Sequence, residues 1–187
     1  MDLVSVNNEK TKDYFEYLYD EAFPEYEQVE IQKLYKLANK ELIDINLIAH
    51  NDEYTGLAVI FLNDDINLLS YFAIDPEYRG EGLGSKSLDV LLDSYDDLMI
   101  EIESTKEQNA SDIKTRKKRK NFYIKNGFYT MDEDINYFGT DMELMVTNED
   151  ASIFDYFNTY ENIFDNYIFF TQMDFSYIWQ FISDVSF

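Results

Sequence analysis

The stretch Arg79-Gly80-Glu81-Gly82-Leu83-Gly84 separates an extended apolar run, Leu68-Leu69-Ser70-Tyr71-Phe72-Ala73-Ile74, from an amphipathic segment that opens near Leu83. Glycines at alternate positions let a backbone turn sharply and bring its N–H groups within reach of an anion. A helix that follows adds its unpaired first-turn donors and the positive end of its dipole. This layout suits phosphate binding. A Walker A loop needs lysine and then serine or threonine directly after its last glycine, whereas here Ser85 precedes Lys86 and the glycine spacing differs. A dinucleotide fingerprint needs G-x-G-x-x-G behind a first strand, and this loop lies in mid-chain with the spacing Gly80-Glu81-Gly82-Leu83-Gly84. Both nucleotide readings fail on spacing.

A chain of 187 residues is long enough for one domain with a sizeable core. It has no run of about eighteen apolar residues, and its start lacks the basic and apolar regions of a signal peptide, so a soluble cytoplasmic protein is expected. Without cysteine there is no disulfide framework, thiolate nucleophile or Cys-based zinc site, and His50 as the only histidine excludes a histidine-rich metal site. The net charge of -23 disfavours nucleic acid and anionic membrane surfaces as partners. Cationic partners fit better, although the acidity reads equally well as a solubility device.

The order of elements follows from periodicity and breakers. Apolar residues at 14, 15, 18, 22 and 23 give a helix over Lys12 to Phe23, ending before Pro24, and a second helix spans Gln28 to Lys40. Asn46 to His50, Tyr54 to Leu62 and Ile66 to Ile74 read as an antiparallel meander joined by turn-rich Asn51-Asp52-Glu53 and Asn63-Asp64-Asp65. A helix over Leu83 to Ser94, a strand over Leu98 to Glu103 and a helix over Ser111 to Asn126 follow, stopped by Gly127. Short strands near Phe128 to Met131 and Asp141 to Val146 complete a mixed sheet.

From Ile74 through Pro76 and Arg79 to Gly84, the chain resembles the V-x-P-x-x-[QR]-x-x-G-x-[GA] signature of acetyl-CoA-dependent N-acyltransferases, the GNAT superfamily. Asn121-Phe122-Tyr123-Ile124-Lys125-Asn126-Gly127-Phe128 resembles a second signature, the F-Y-x-x-x-G-F motif of many such enzymes. The resemblance covers residues 1–147 and matches the element order. It implies an α/β (α+β) fold with a mixed, mostly antiparallel sheet flanked by helices, and acetyl-CoA as cosubstrate without a metal.

The same resemblance assigns the donor side. Backbone N–H groups from Arg79, Gly80, Glu81, Gly82, Leu83 and Gly84 would cradle the pyrophosphate of coenzyme A, with the Ser85 hydroxyl as a further donor, while Arg79 either touches the ligand or shapes the turn. Phe72, Ala73 and Ile74, at the end of the fourth strand, would splay from the neighbouring strand and pair with the pantetheine arm, the Ile74 N–H polarising the thioester carbonyl. Tyr123 would be the general acid for the departing thiolate, since a phenol with pKa near 10 is a plausible donor; otherwise it is a packed core tyrosine. Seven of the fifteen Lys and Arg residues (Lys114, Arg116, Lys117, Lys118, Arg119, Lys120 and Lys125) fall within residues 114–125, and none follows Lys125. That island serves either the coenzyme's phosphates or solvent.

Glu101 and Glu103 are two apart on a strand and share a face, opposite Ile100 and Ile102. They are the candidates for the residue that takes the amine proton, with substrate anchoring or a structural network as the alternative. Asp75 is a weaker option, and His50 reads as structural or exposed.

Residues 148–187 form an aromatic-rich extension, with thirteen aromatic residues among forty and no basic side chain. The stripe Ile153, Phe157, Tyr160 and Phe164, and a second group, Tyr177, Ile178, Phe181 and Ile182, suggest helices packed on the core or on a second subunit of a homodimer. The function expected is acetyl transfer from acetyl-CoA to a primary amine of a small cationic acceptor. A non-catalytic coenzyme A-binding or protein-interaction module and a protein N-terminal or lysine acetyltransferase are the other readings.

Overall fold

A computed structural model describes residues 1–163 apart from Phe138. A short strand, β1 (Asp2–Ser5), precedes the first helix, α1 (Glu9–Ala22). The helix starts three residues before the expected Lys12, because the Asn8 side chain accepts the Thr11 N–H (3.2 Å) while the Thr11 hydroxyl accepts the Asn8 N–H (3.1 Å). This reciprocal cap satisfies two orphan donors. A second helix, α2 (Ile31–Ala38), leads into the meander of β2 (Ile43–His50), β3 (Glu53–Phe61) and β4 (Asn67–Ile74).

The glycine loop connects β4 to α3 (Leu83–Tyr95), which is followed by β5 (Leu98–Glu103), α4 (Ile113–Lys125), β6 (Tyr129–Tyr137), β7 (Thr140–Val146) and α5 (Ile153–Ile163). The seven strands form one sheet in the order β1-β2-β3-β4-β5-β7-β6. Every pairing is antiparallel except β4 with β5. The mixed, mostly antiparallel sheet flanked by helices is as expected.

Two hydrophobic cores lie on opposite faces of the sheet. One joins Phe15, Leu18 and Tyr19 of α1, Leu34 of α2 and Tyr156, Tyr160 and Ile163 of α5 to Leu47, Leu57, Val59, Met99 and Leu144 of the strands. The other joins Leu88 and Leu91 of α3 and Tyr123 of α4 to Leu69, Leu98, Ile100, Ile102 and Met145. The alternation along β5 therefore sends Met99 and Leu98 to different layers.

Helix α4 buries little apolar surface, and Tyr123 is its one buried residue. Charge ties it to the sheet instead: Arg119 pairs with Glu103 and Lys120 with the buried Glu143, while Arg116 pairs with Asp112 at the helix's own start at 2.9 Å. Glu143 also accepts both the N–H and the hydroxyl of Thr105. Those hydrogen bonds and Lys120 hold its carboxyl below the usual range against the opposing effect of burial.

On α5 the buried side chains are Tyr156, Thr159, Tyr160 and Ile163. Ile153 and Phe157 are only partly buried, so the helix is rotated relative to the stripe read from sequence. Asn63, in the β3–β4 turn, fixes that rotation by donating to the Thr159 hydroxyl (2.7 Å) and the Asp155 carbonyl (3.2 Å). Phe164 and the group Tyr177, Ile178, Phe181 and Ile182 lie outside the described residues.

Candidate active site

The loop after β4 is shaped by its own side chains. Asp75 caps a single turn at Pro76–Tyr78: Oδ1 accepts the Glu77 N–H (2.9 Å) and Oδ2 accepts the Tyr14 hydroxyl (2.8 Å). With both oxygens engaged and the residue 5% exposed, Asp75 acts as the cap that shapes this loop. Arg79 Nε donates to the Ile74 carbonyl (2.9 Å), so this arginine folds the turn back onto the strand end.

Gly80 (φ +90°) and Gly82 (φ +74°) take left-handed backbone that other residues adopt only with strain. A side chain at either position would meet nothing within 4 Å, so the outer face of the loop is open. Gly82 caps α3 without a side-chain partner, and the first turn holds no acidic residue. Open space, left-handed glycines and uncapped N–H groups of Leu83, Gly84 and Ser85 make a cradle that fits a phosphate-bearing group.

Beside this cradle the sheet parts. Strands β4 and β5 pair only at Asn67 with Leu98 and Leu68 with Met99, and β4 runs on to Ile74 along an edge with no strand beside it. On its other edge β4 stays joined to β3, where Ala73 faces Leu57 and the Asp75 N–H donates to the Thr55 carbonyl (3.0 Å). Antiparallel alternation then turns the Phe72 and Ile74 N–H groups away from β3, toward the gap. These donors suit an extended amide-bearing ligand arm.

Helix α4 borders the same region. A Cβ on Gly84 would lie 3.2 Å from the Phe122 ring, a tight contact that glycine avoids where α3 approaches α4. Lys114, Lys118 and Lys125 fall on the stripe of α4 that carries Phe122, at spacings of four, four and three residues. All three are exposed and make no ion pair with the described residues. Arg116, Arg119 and Lys120, on the adjoining stripe, are tied to carboxylates. Lys117 donates to Gln108 Oε1 (2.8 Å), so four of the seven basic residues are tied to the chain and three lysines remain on the Phe122 stripe.

Tyr123 follows Arg119 by one turn. Its ring meets Phe122 and Phe128 edge-on, at centroid distances of 5.2 and 5.4 Å. Burial pushes its phenol up to about 12, against the opposing influence of Arg119. The hydroxyl makes no hydrogen bond to the described residues, yet it is not among their fully buried partnerless atoms.

Glu101 and Glu103 share the face of β5 that looks toward α5, two and four residues beyond the last β4 pairing. Glu103 is bound by Arg119. Glu101 accepts the Tyr156 hydroxyl at Oε2 (2.6 Å) and the Tyr160 hydroxyl at Oε1 (2.9 Å). Burial raises its pKa, and the two phenols act in the opposite direction. His50 ends β2 opposite Glu53, at a hairpin remote from β5 in the sheet order.

Solved structures share this architecture. A protein from Bacteroides thetaiotaomicron assigned to the GNAT family of acetyltransferases superposes with a TM-score of 0.73 at 21% identity, over 89% of this chain and 99% of that one. The ribosomal-protein-S18-alanine N-acetyltransferase of Escherichia coli gives 0.55 at 20% identity (81% and 98%). An aminoglycoside 6'-N-acetyltransferase complexed with coenzyme A gives 0.60 at 14% (78% and 96%). Residues 43–130 match the family model of the acetyltransferase (GNAT) domain. Over residues 43–130 the chain thus resembles a GNAT domain. No curated protein matches the sequence.

The residues that match the GNAT model contain the glycine loop, the β4 edge, Glu101, Glu103 and Tyr123. Tyr156 and Tyr160 lie beyond it, so the partners of Glu101 come from a segment outside the family pattern. Sequence reasoning missed Tyr156, read Tyr160 only as a packing residue and Arg119 only as part of the basic island. Their only signal was spacing: Tyr156 and Tyr160 one turn apart, and Arg119 one turn before Tyr123.

Proposed function

We propose that this protein transfers acetyl from acetyl-CoA to a primary amine of a small cationic acceptor, by direct attack in a ternary complex. The observation that carries the reading is the parting of β4 from β5 after Leu68 and Met99, with the glycine cradle at the end of the freed strand. The N–H groups of Gly80 through Ser85 hold the pyrophosphate, Phe72 and Ile74 pair with the pantetheine arm, and Lys114, Lys118 and Lys125 supply positive charge for the phosphates. Acetyl-CoA contributes an activated thioester.

The other roles belong to the chain. Glu101 accepts a proton from the acceptor's ammonium group, since a carboxylate with a raised pKa is a better base near neutrality. The freed amine forms the new C–N bond as the C–S bond breaks, and the Ile74 N–H stabilises charge on the carbonyl oxygen. Tyr123, protonated at neutral pH, hydrogen-bonds and protonates the departing sulfur, with Arg119 easing loss of the phenolic proton. A second amine proton is lost as the amide forms, leaving N-acetyl product, free thiol and one net proton. Burial and the nearby Glu103 charge raise the pKa of Glu27, while Tyr26 and Arg119 act in the opposite direction.

A scaffold that binds coenzyme A without catalysis would share the cradle. Calorimetric titration with acetyl-CoA and with Gly82→Ala protein tests the donor half: saturable binding weakened by the substitution supports it, and absence of binding by the parent protein removes it.

A further inference from the structure

We propose that Tyr156 and Tyr160 of α5 are positioning residues that clamp the Glu101 carboxylate in one orientation beside the gap between β4 and β5, making the C-terminal helix a working part of the acceptor side. The inference rests on the reading of Glu101 as proton acceptor.

The clamp is built by helical spacing. Residues 156 and 160 stand one turn apart, so two hydroxyls reach one carboxylate, each on a different oxygen, at 2.6 and 2.9 Å. Their rings pack against each other at 4.8 Å and are 0% and 3% exposed, which fixes the phenols before any ligand arrives. The helix is locked in turn by Asn63 through Thr159 and Asp155. A carboxylate with two donors has little freedom to rotate, and each oxygen keeps a lone pair for a third partner.

Other titratable groups on this side are engaged elsewhere. The Tyr71 hydroxyl of β4 donates to the Glu27 carbonyl (2.8 Å), the Tyr19 hydroxyl of α1 to the Val29 carbonyl (3.2 Å), and Glu103 is held by Arg119. Among the described residues, only Tyr156 and Tyr160 hydrogen-bond to Glu101. A phenol that donates to a carboxylate favours its charged form, so loss of either hydroxyl makes the carboxyl harder to ionise.

The test is a titration of full-length protein labelled with carboxyl-13C glutamate and followed by NMR, with Glu101→Gln assigning the Glu101 signal. Tyr156→Phe and Tyr160→Phe should each move the Glu101 midpoint to higher pH, and the acidic limb of kcat/KM for thiol release, read with any amine that supports it, should move by the same amount. Unchanged midpoints in both folded variants, with near-ultraviolet circular dichroism as the control for folding, would overturn the clamp. A shifted midpoint with an unshifted limb would limit the tyrosines to a structural role and overturn the proposal as well. Full activity of Glu101→Gln would refute the proton-acceptor reading while leaving the measured clamp intact, so the two failures are distinguishable. The titration decides the clamp without any acceptor.

Discussion

The Arg119 guanidinium of α4 is bonded to Glu103 Oε2 of β5, and Arg119 stands one turn before Tyr123. One ion pair therefore ties the helix that carries the proposed acid to the strand that carries the proposed base. Because Glu101 and Glu103 share a face of β5, that pair also separates their roles: Glu103 is neutralised by a fixed cation, and Glu101 is left to two neutral phenols. Arg119 also favours the ionised phenol of Tyr123.

Replacing Tyr123 with Phe keeps the ring that packs on Phe122 and Phe128 and removes only the hydroxyl. A loss in kcat of roughly 100-fold or more is expected for removal of a general acid, with acetyl-CoA affinity nearly unchanged. Steady-state kinetics together with calorimetry would check the split. Unchanged kcat across pH would remove the acid role.

Glu101→Gln should trade function for stability. The folded-state pKa of Glu101 lies above its unfolded value, so its charge costs stability as pH rises from the ordinary glutamate value, about 4.3, through the raised one. Above that window the Gln variant should unfold at higher temperature than the parent and release thiol more slowly. Differential scanning calorimetry at pH 5 and pH 8 should show the stability gap opening with pH.

Glu143 has the opposite sign. Its folded-state pKa is lowered, so its stabilisation is present above the ordinary glutamate value and lost as pH falls through the lowered one. Glu143→Ala leaves Lys120 and the Thr105 N–H without their acceptor and should cost about 3 kcal/mol near neutrality. Urea unfolding at pH 7 and pH 3 should show a large difference between parent and variant at the first and a small one at the second.

Gly82→Ala should lower stability by about 1 kcal/mol, because αL backbone penalises a Cβ, and it should weaken acetyl-CoA binding by disturbing the cradle. Glu81→Ala, with an exposed side chain, should leave stability within about 0.5 kcal/mol. Equal effects of the two changes would argue against a conformational role for Gly82.

The passage from β4 through the glycine loop to α3 was legible in sequence because its signals are local: a buried apolar run, glycines where φ turns positive, and helical spacing after Leu83. Strand β1 was not, since Asp2–Ser5 carries only Leu3 and Val4 as apolar residues and gains its order by pairing with β2. Strand β6 runs past the expected Met131 to Tyr137, because pairing with β7 resumes at Asp134 beyond an irregularity that reads as a polar loop. The shared face of Glu101 and Glu103 follows from period-two alternation, whereas what each touches depends on packing. Tyr156 is 55 residues from Glu101, and no local pattern links them. The rotation of α5 was hidden for a related reason: aromatic residues surround that helix, with Phe154 70% exposed and Tyr156 fully buried.

Thiol release from acetyl-CoA in the presence of a panel of primary amines, with the products weighed by mass spectrometry, tests the central claim most directly. The expected result is amine-dependent thiol release matched by an acetylated product, strongest for small cationic amines and strongly reduced by Tyr123→Phe. Saturable acetyl-CoA binding with no thiol release above background, for every amine in the panel, would contradict acetyl transfer to a small amine.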